Sequence, residues 1–227
     1  MVHTMRLTRS FDKLGRTLVG LLLPPHCPVC EAVLPLSEPM NLCPVCYGRL
    51  PWWDKTGVLP PQLPKAIDTF DAPCVYEGMV RDAILRMKFQ DTPALAGVLA
   101  KLLLPVIPSN ATVLVPVPMH GRALRGRLYN QAALLAQAVG KLKGIPADVT
   151  ALVRINPSDG QARRTRAQRL KLSSTDFVAH PRLADQHVVL VDDIYTTGAT
   201  AKACALALRK AGVASVHVRT LAYTSEK

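Results

Sequence analysis

Runs of aliphatic residues predict the strands of a buried sheet. The strongest is Val188-Val189-Leu190-Val191, in which three of four residues are β-branched. An unbroken aliphatic run of this length is typical of a strand that is buried on both faces, as in a parallel sheet. Similar but weaker patterns predict further strands at 70–76, 112–118, 149–154 and 213–223.

Helical periodicity fills the intervals between these strands. In 79–89 the pattern places Val80, Ile84 and Leu85 on one face, with Arg81, Arg86 and Lys88 outside. Helices are also predicted at 93–104, 130–139 and 201–210. Strands that alternate with helices indicate an α/β fold, with a mostly parallel sheet flanked by helices.

A group of small polar residues follows the strongest strand. Asp192 and Asp193 come first, and a turn rich in threonine and containing Gly198 leads into the helix predicted from Ala201. Backbone N–H groups of such a turn, at the N-terminus of a helix, favour an anion. The two acids would repel a phosphate group, but they suit ribose hydroxyls or a divalent cation beside a pyrophosphate.

This stretch resembles the 5-phosphoribosyl-1-pyrophosphate (PRPP) motif of type I phosphoribosyltransferases. The resemblance implies that Asp192 and Asp193 hold the ribose hydroxyl groups. It also implies that the 5′-phosphate is held by Thr196, Thr197, Gly198, Ala199 and Thr200. The alternative is an ordinary strand-to-helix turn with exposed acids. A Rossmann turn or a P-loop does not fit this stretch, because each needs its glycines at other positions.

A second candidate site follows the strand predicted at 112–118, which ends in alternate prolines. The carboxyl ends of parallel strands lie on one rim of a sheet, where ligands bind, so we expect the next loop to face the acid pair. Arginine offers paired donors to a pyrophosphate. The candidate pyrophosphate loop contains Pro118, His120, Arg122, Arg125 and Arg127.

Four of the six cysteines form two Cys-x2-Cys knuckles, Cys27/Cys30 and Cys43/Cys46. Two such knuckles complete a tetrahedral zinc site with four thiolate ligands, which leaves no open position for catalysis and indicates a structural role. Two disulfides are the rival interpretation, which suits a secreted protein. The remaining Cys74 and Cys204 lie in apolar contexts, and we expect both to be buried.

The chain has 227 residues, 49% of them hydrophobic, and a formal net charge of +12. It can therefore bury a sizeable core. The charge favours a polyanionic partner, although a solvated basic surface would give the same balance. One polar segment, 156–174, could be a mobile flap or a basic helix. Its candidate DNA-binding residues are Arg163, Arg164, Arg166, Arg169 and Lys171.

These patterns predict four parts: an N-terminal helix over 1–23, a zinc ribbon over 24–53, a linker over 54–66, and a phosphoribosyltransferase-like domain over 67–227. No apolar run reaches the length of a membrane span, and the apolar run near the N-terminus is short for a signal peptide, so we expect a cytoplasmic protein. Trp52 and Trp53 could stack on a nucleic-acid base or seat the ribbon on the larger domain.

The order of these features resembles the ComF/GntX family, which is associated with natural competence. The chain departs from the family pattern at two positions, where Leu128 replaces a glycine and Leu172 replaces an asparagine. The matches extend over most of the chain: Leu22-Leu23-Pro24-Pro25-His26-Cys27, both cysteine knuckles, Met87-Lys88-Phe89, Val115-Pro116-Val117-Pro118, Arg127 with Asn130-Gln131, Leu152-Val153-Arg154, Gln161, Arg169, Phe177 and the PRPP motif.

Three functions are consistent with the sequence. The resemblance implies a PRPP-binding protein that handles single-stranded DNA during uptake, together with other DNA-uptake proteins. The second is an active phosphoribosyltransferase that uses magnesium with PRPP, for which the sequence identifies no acceptor and no catalytic residue. The third is an interaction adaptor that docks through its zinc ribbon.

Overall fold

The computed structural model describes residues 24–35, 40–89, 95–119, 129–155 and 176–224. The chain divides into two compact units, Met1–Leu50 and Pro51–Lys227. The helix predicted over 1–23 lies outside the described residues. Trp52 and Trp53, predicted above as part of the zinc ribbon, belong to the second unit.

A five-stranded parallel sheet forms the centre of the second unit. Its strand order is β1-β7-β6-β3, and β2 pairs with β7 on the same side as β1. The predicted α/β class is confirmed. The strands are β1 (Thr69–Asp71), β2 (Cys74–Val75), β3 (Val113–Pro116), β6 (His187–Tyr195) and β7 (Ser215–Tyr223).

Helices cover both faces of this sheet. Strand alternation places Val188 and Leu190 in one core with α5, while α3 and α4 pack against each other over the opposite face. None of the helices in the described ranges is long and apolar enough to cross a membrane. The helices are α1 (Pro44–Gly48, in the first unit), α2 (Gly78–Phe89), α3 (Leu95–Leu103), α4 (Gln131–Lys143) and α5 (Ala199–Lys210).

Two predicted strands differ in the structure. The single strand expected over 70–76 is divided into β1 and β2 at Ala72-Pro73, because a proline has no N–H to donate to the ladder. The strand expected over 149–154 begins only at Leu152 and does not join the central sheet.

That strand, β4 (Leu152–Arg154), instead pairs antiparallel with β5 (Phe177–Ala179) in a separate two-stranded sheet. The guanidinium group of Arg154 lies 5.5 Å from the centre of the Phe177 ring. Nearby, the Arg182 guanidinium donates to both carboxylate oxygens of Asp148, at 2.7 and 2.9 Å. This pairing lowers the pKa of Asp148 to about 2.

The strand that precedes the acid pair is longer than predicted. We expected the strand to end before the acids, but β6 continues through Asp192 and Asp193 to Tyr195. The reason is its neighbour, since the nine-residue β7 continues the parallel ladder as far as Tyr195↔Tyr223. The two acids are therefore held by a ladder on the β7 side, rather than by a free loop.

Candidate functional site

The first unit brings its four knuckle cysteines together. Their sulfur atoms all lie within 4.8 Å of one another, and the Sγ atoms of Cys30 and Cys43 are 3.6 Å apart. A tetrahedral ion with bonds of about 2.3 Å to sulfur would require sulfur atoms about 3.8 Å apart. All six cysteines of the chain are free thiols in the structure. The cluster therefore has the geometry of a four-coordinate metal site, as the spacing of the knuckles predicts.

Backbone hydrogen bonds shape each knuckle. In the first, the Cys27 carbonyl accepts from Glu31 N–H and the Cys27 N–H donates to the Ala32 carbonyl, each at 2.8 Å. In the second, the Cys43 sulfur accepts the N–H of Cys46 at the start of α1. Burial raises the pKa of Cys46, and the adjacent thiols raise it further, whereas the burial of Cys27 is outweighed by backbone hydrogen bonds, which lower its pKa to about 6. A bound cation favours the thiolate form of its cysteine ligands.

The other two cysteines are buried, as expected. Neither Cys74 nor Cys204 exposes any of its surface, and burial raises the pKa of both thiols, to about 12 for Cys74. Neither is suited to nucleophilic chemistry.

The turn after β6 has a fixed shape. Gly198 lies in the left-handed region at φ 72°, immediately before α5, and a Cβ atom there would overlap the hydroxyl oxygen of Tyr195. Tyr195 is buried against Phe70, with ring centres 4.4 Å apart, so it has little room to move. Only glycine fits this position, and the turn brings the backbone close around the start of the helix.

The threonines of this turn lie at the surface. Thr196 and Thr197 are exposed and Thr200 is half-buried, while the Thr197 hydroxyl accepts the N–H of Ala199 at 3.3 Å. The first N–H groups of a helix have no partner within the helix and carry partial positive charge. Hydroxyl and amide donors therefore lie together at the start of the twelve-residue α5.

Lys88 forms a salt bridge with the acid pair. Its ammonium nitrogen lies 2.8 Å from Oδ2 of Asp193, and the two side chains are only 19% and 11% exposed. The expectation that Lys88 points to solvent is wrong, because the last turn of α2 directs it to the end of β6. The short motif Met87-Lys88-Phe89 was the available sequence signal, but helical periodicity alone places a lysine outside.

Asp192 differs from its neighbour. Burial raises its pKa well above that of an ordinary carboxyl group, and the charge of Asp193 raises it further. The N–H of Asp193, which donates to Asp192 Oδ1 at 2.9 Å, and the charge of Lys88 act in the opposite direction. The pair therefore carries less negative charge than two free carboxylates would.

The end of β3 borders the same site. Val117 donates its N–H to the Val191 carbonyl, which places 117–119 beside the acid pair, and the Asn130 side chain donates to the Val117 carbonyl at 3.0 Å. Asn130 also caps α4 through the N–H of Ala132. The Tyr129 hydroxyl donates to the Met87 carbonyl at 2.9 Å, one residue before Lys88.

Three segments of the second unit therefore meet at this rim of the sheet: the end of α2, the chain on either side of 120–128, and the β6–α5 turn. Pro118 of the predicted pyrophosphate loop is half-buried there. The remaining residues of that loop, His120, Arg122, Arg125 and Arg127, lie outside the described residues. So do the candidate DNA-binding residues Arg163, Arg164, Arg166, Arg169 and Lys171.

The adjacent tryptophans do not belong to this rim. Trp53 packs on Phe70 and Tyr223, with ring centres 5.6 and 5.2 Å apart, and donates its indole N–H to the Val58 carbonyl. These contacts lie within the second unit, and both predicted roles of the tryptophans stay predictions.

Comparison with known proteins agrees with this geometry. Residues 88–227 match the family model of the phosphoribosyl transferase domain, and the match begins at Lys88. This range is more than half of the chain, which therefore belongs to the phosphoribosyl transferase domain family.

Curated relatives are more specific, and they confirm the predicted membership of the ComF family. The chain is 30% identical over 145 residues to competence protein ComFC of Bacillus subtilis, a match that spans 62% of this chain and 58% of that protein. It is 29% identical over 209 residues to competence protein F of Haemophilus influenzae, across 87% of this chain and 84% of the relative.

Among solved structures, the chain is similar to the glutamine PRPP amidotransferase of B. subtilis complexed with ADP and GMP. The identity is 20%, the TM-score is 0.43, and the match spans 59% of this chain and 30% of that one.

Proposed function

We propose that the β6–α5 turn binds PRPP or a related phosphoribosyl compound. The proposal is based on two features that follow each other at this rim of the sheet. The first is the acid pair, which Lys88 partly neutralises, and the second is the turn shaped by Gly198, which leads into α5. We call this set the phosphoribosyl site: Asp192, Asp193, Thr196, Thr197, Gly198, Ala199 and Thr200.

The charges and hydrogen-bonding groups of the site indicate how the ligand would be oriented. The 5′-phosphate is placed at the turn, because the N–H groups at the start of α5 and the hydroxyls of Thr196 and Thr197 are donors. The ribose hydroxyl groups are placed at Asp192 and Asp193, because carboxylates accept hydrogen bonds from hydroxyls and repel phosphate. Lys88 reduces that repulsion, since its ammonium group lies against Asp193.

Two metal ions belong to the proposal. Mg²⁺ accompanies the pyrophosphate of PRPP, and the carboxylates of the acid pair are oxygen ligands that suit it. The pyrophosphate would be bound by Pro118, His120, Arg122, Arg125 and Arg127. Zn²⁺ would occupy the four-cysteine cluster, where its thiolate ligands and closed coordination make it structural.

We further propose a role in DNA uptake, through the handling of single-stranded DNA. The names of the two curated relatives support competence, and the net charge of +12 suits a polyanion. Arg163, Arg164, Arg166, Arg169 and Lys171 would contact the phosphate backbone. The proposed compartment is the cytoplasm, because a reducing environment keeps the thiols of a four-cysteine metal site free to bind the ion.

A calorimetric titration with PRPP tests the proposed ligand. Wild type should bind PRPP, more tightly with Mg²⁺ than without it, and the double substitution Asp192→Asn/Asp193→Asn should abolish binding. Asp82→Asn, which removes an exposed carboxylate from α2, is the matched control and should bind as wild type does. Equal binding by the double variant would refute the assignment of the acids.

A salt titration tests the DNA role. The logarithm of the binding constant for single-stranded DNA should fall linearly with the logarithm of salt concentration. The slope should become shallower by about 2 when Arg163, Arg164 and Arg166 are replaced by alanine. Alanine at the exposed Lys141, Lys143 and Lys210 removes the same charge and serves as the control. Equal losses in the two triple variants would show an effect of net charge alone.

The second candidate is transfer of the phosphoribosyl group to an acceptor, and the family match over 88–227 favours it. Catalysis would rest on positioning and on neutralising the departing pyrophosphate. Release of pyrophosphate from PRPP, measured with a panel of nucleobases and amines, separates turnover from binding. The Asp192→Asn/Asp193→Asn variant provides the background rate.

A further inference from the structure

A cavity of about 590 Å³ lies at the β1 edge of the second unit, apart from the phosphoribosyl site. It shares no residue with that site, and β7 separates β1 from β6. Its volume falls within the range of small-molecule sites in proteins. We call it the tryptophan cavity. It is lined by Trp52, Trp53, Asp54, Gly57, Val58, Leu59, Pro60, Asp71, Ala72, Pro73, Leu102, Pro105 and Val106.

Aromatic walls give the tryptophan cavity a rigid shape. The ring of Trp53 is fixed by its indole N–H bond to the Val58 carbonyl, at 2.8 Å, and by its contacts with Phe70 and Tyr223. The backbone of Trp52 forms an antiparallel bridge with Cys74. The flat, fixed indole of Trp53 favours a planar ligand, because stacking on it costs little side-chain freedom.

Two carboxylates provide the polar contacts of the cavity. Asp54 is exposed, and Asp71 is half-buried at the end of β1, where its Oδ1 accepts the Ala72 N–H at 2.8 Å. Within the described ranges, neither carboxylate forms an ion pair with Lys, Arg or His. Carboxylate oxygens accept hydrogen bonds, so these two acids are the charged acceptors of the lining.

A buried cation lies behind Asp71 rather than in the cavity. The Arg219 guanidinium is 6% exposed and donates to backbone carbonyls, including those of Val106 and Val218. Arg219 attracts the Asp71 carboxylate electrostatically. Its donors are committed to the protein, so it offers no partner to a bound anion.

The residues that line the cavity, all of them in described ranges, include two acids and no Lys, Arg or His. The charge of this lining is opposite in sign to the net charge of the whole chain, which carries 28 Lys and Arg against 16 Asp and Glu. A phosphate or a nucleic-acid backbone would meet two carboxylates there without a compensating cation. A planar group that carries positive charge would be attracted by both acids and by the indole faces.

We propose that the tryptophan cavity binds a planar aromatic molecule that bears a cationic amino or amidino group. Trp53 supplies the stacking surface, and Asp54 and Asp71 accept hydrogen bonds from the cation. The proposal is independent of the phosphoribosyl site, so failure of either leaves the other standing.

Three ring compounds of similar size and different charge test this proposal on the full-length protein: benzamidine (positive), benzamide (neutral) and benzoate (negative). Trp52 and Trp53 are the only tryptophans of the chain, so intrinsic fluorescence reports on this cavity directly. Benzamidine should bind at least about tenfold more tightly than benzoate, with benzamide between them.

Variants then locate the preference. Asp54→Asn/Asp71→Asn keeps an oxygen that can accept the Ala72 N–H, and it should bring the three compounds within about twofold of one another. Asp82→Asn should leave the preference unchanged, and thermal unfolding confirms that each variant is folded. Benzoate binding as tightly as benzamidine, no fluorescence change with millimolar benzamidine, or an unaltered preference in the double variant would each overturn the proposal.

Discussion

Replacing Lys88 by methionine tests how the acid pair is held. The substitution keeps the apolar part of the side chain at the end of α2 and removes the ammonium group that lies 2.8 Å from Asp193. With exposures of 19% and 11%, the two groups are poorly screened by solvent. The charge of Asp193 then stands beside Asp192 without this cation.

The magnitude follows from distance and burial. Two unit charges about 3 Å apart attract by roughly 5–6 kcal/mol at an effective dielectric constant of about 20. Much of this attraction is offset by the hydration that both groups lose on folding. We therefore expect Lys88→Met to lower the free energy of unfolding by about 2–3 kcal/mol at pH 7.

Urea unfolding followed by tryptophan fluorescence is the assay, because both tryptophans lie in the second unit. Lys88→Met, Asp193→Asn and the double variant complete a thermodynamic cycle, in which we expect a coupling energy of at least about 1 kcal/mol. Arg81→Met is the matched control, since the Arg81–Asp82 pair is exposed, and it should change stability by less than about 0.5 kcal/mol. A Lys88–Asp193 coupling energy below about 0.5 kcal/mol, the scale of an exposed ion pair, would refute the reasoning.

Three further predictions concern stability. The pKa of Asp192 is higher in the folded state than in the unfolded state, so its contribution to folding stability is present below about pH 4 and is lost as the pH rises toward the folded-state pKa. Asp192→Asn should therefore stabilise the fold by about 1–2 kcal/mol at pH 8 and not at pH 4. The same effect at both pH values in urea titrations would contradict this. Gly198→Ala should cost about 2–3 kcal/mol because the Cβ atom meets Tyr195, whereas Gly144→Ala, at φ 71° with open space around it, should cost about 1 kcal/mol; equal losses in thermal melts would contradict the close approach. Removal of the metal by a chelator, or Cys43→Ser, should unfold the first unit and leave tryptophan fluorescence unchanged, and a first unit that keeps its amide protection without metal would refute the structural role.

The central strands and the cysteine cluster could be predicted because short-range patterns determine them. Val188 to Val191 are fully buried, as an unbroken aliphatic run requires, and the knuckle spacing directs four thiols to one point. Such patterns involve residues that are close in the chain, and their meaning does not depend on the rest of the fold.

Features that depend on distant partners could not be predicted in this way. The length of β6 is set by β7, more than twenty residues further on, and the strand at 149–154 was misplaced because its partner, β5, follows a long intervening segment. Lys88 has the pattern of an exposed helical residue, and only the packing of α2 against the end of β6 brings it to Asp193. The tryptophan cavity likewise combines three segments that no local motif connects.

The most direct measurement is an experimental structure of the protein with PRPP and Mg²⁺. It should place the 5′-phosphate on the N–H groups at the start of α5, and the two ribose hydroxyls within hydrogen-bond distance of Asp192 and Asp193. A ligand bound elsewhere, or a phosphoribosyl group that touches neither the acids nor the turn at Gly198, would contradict the account.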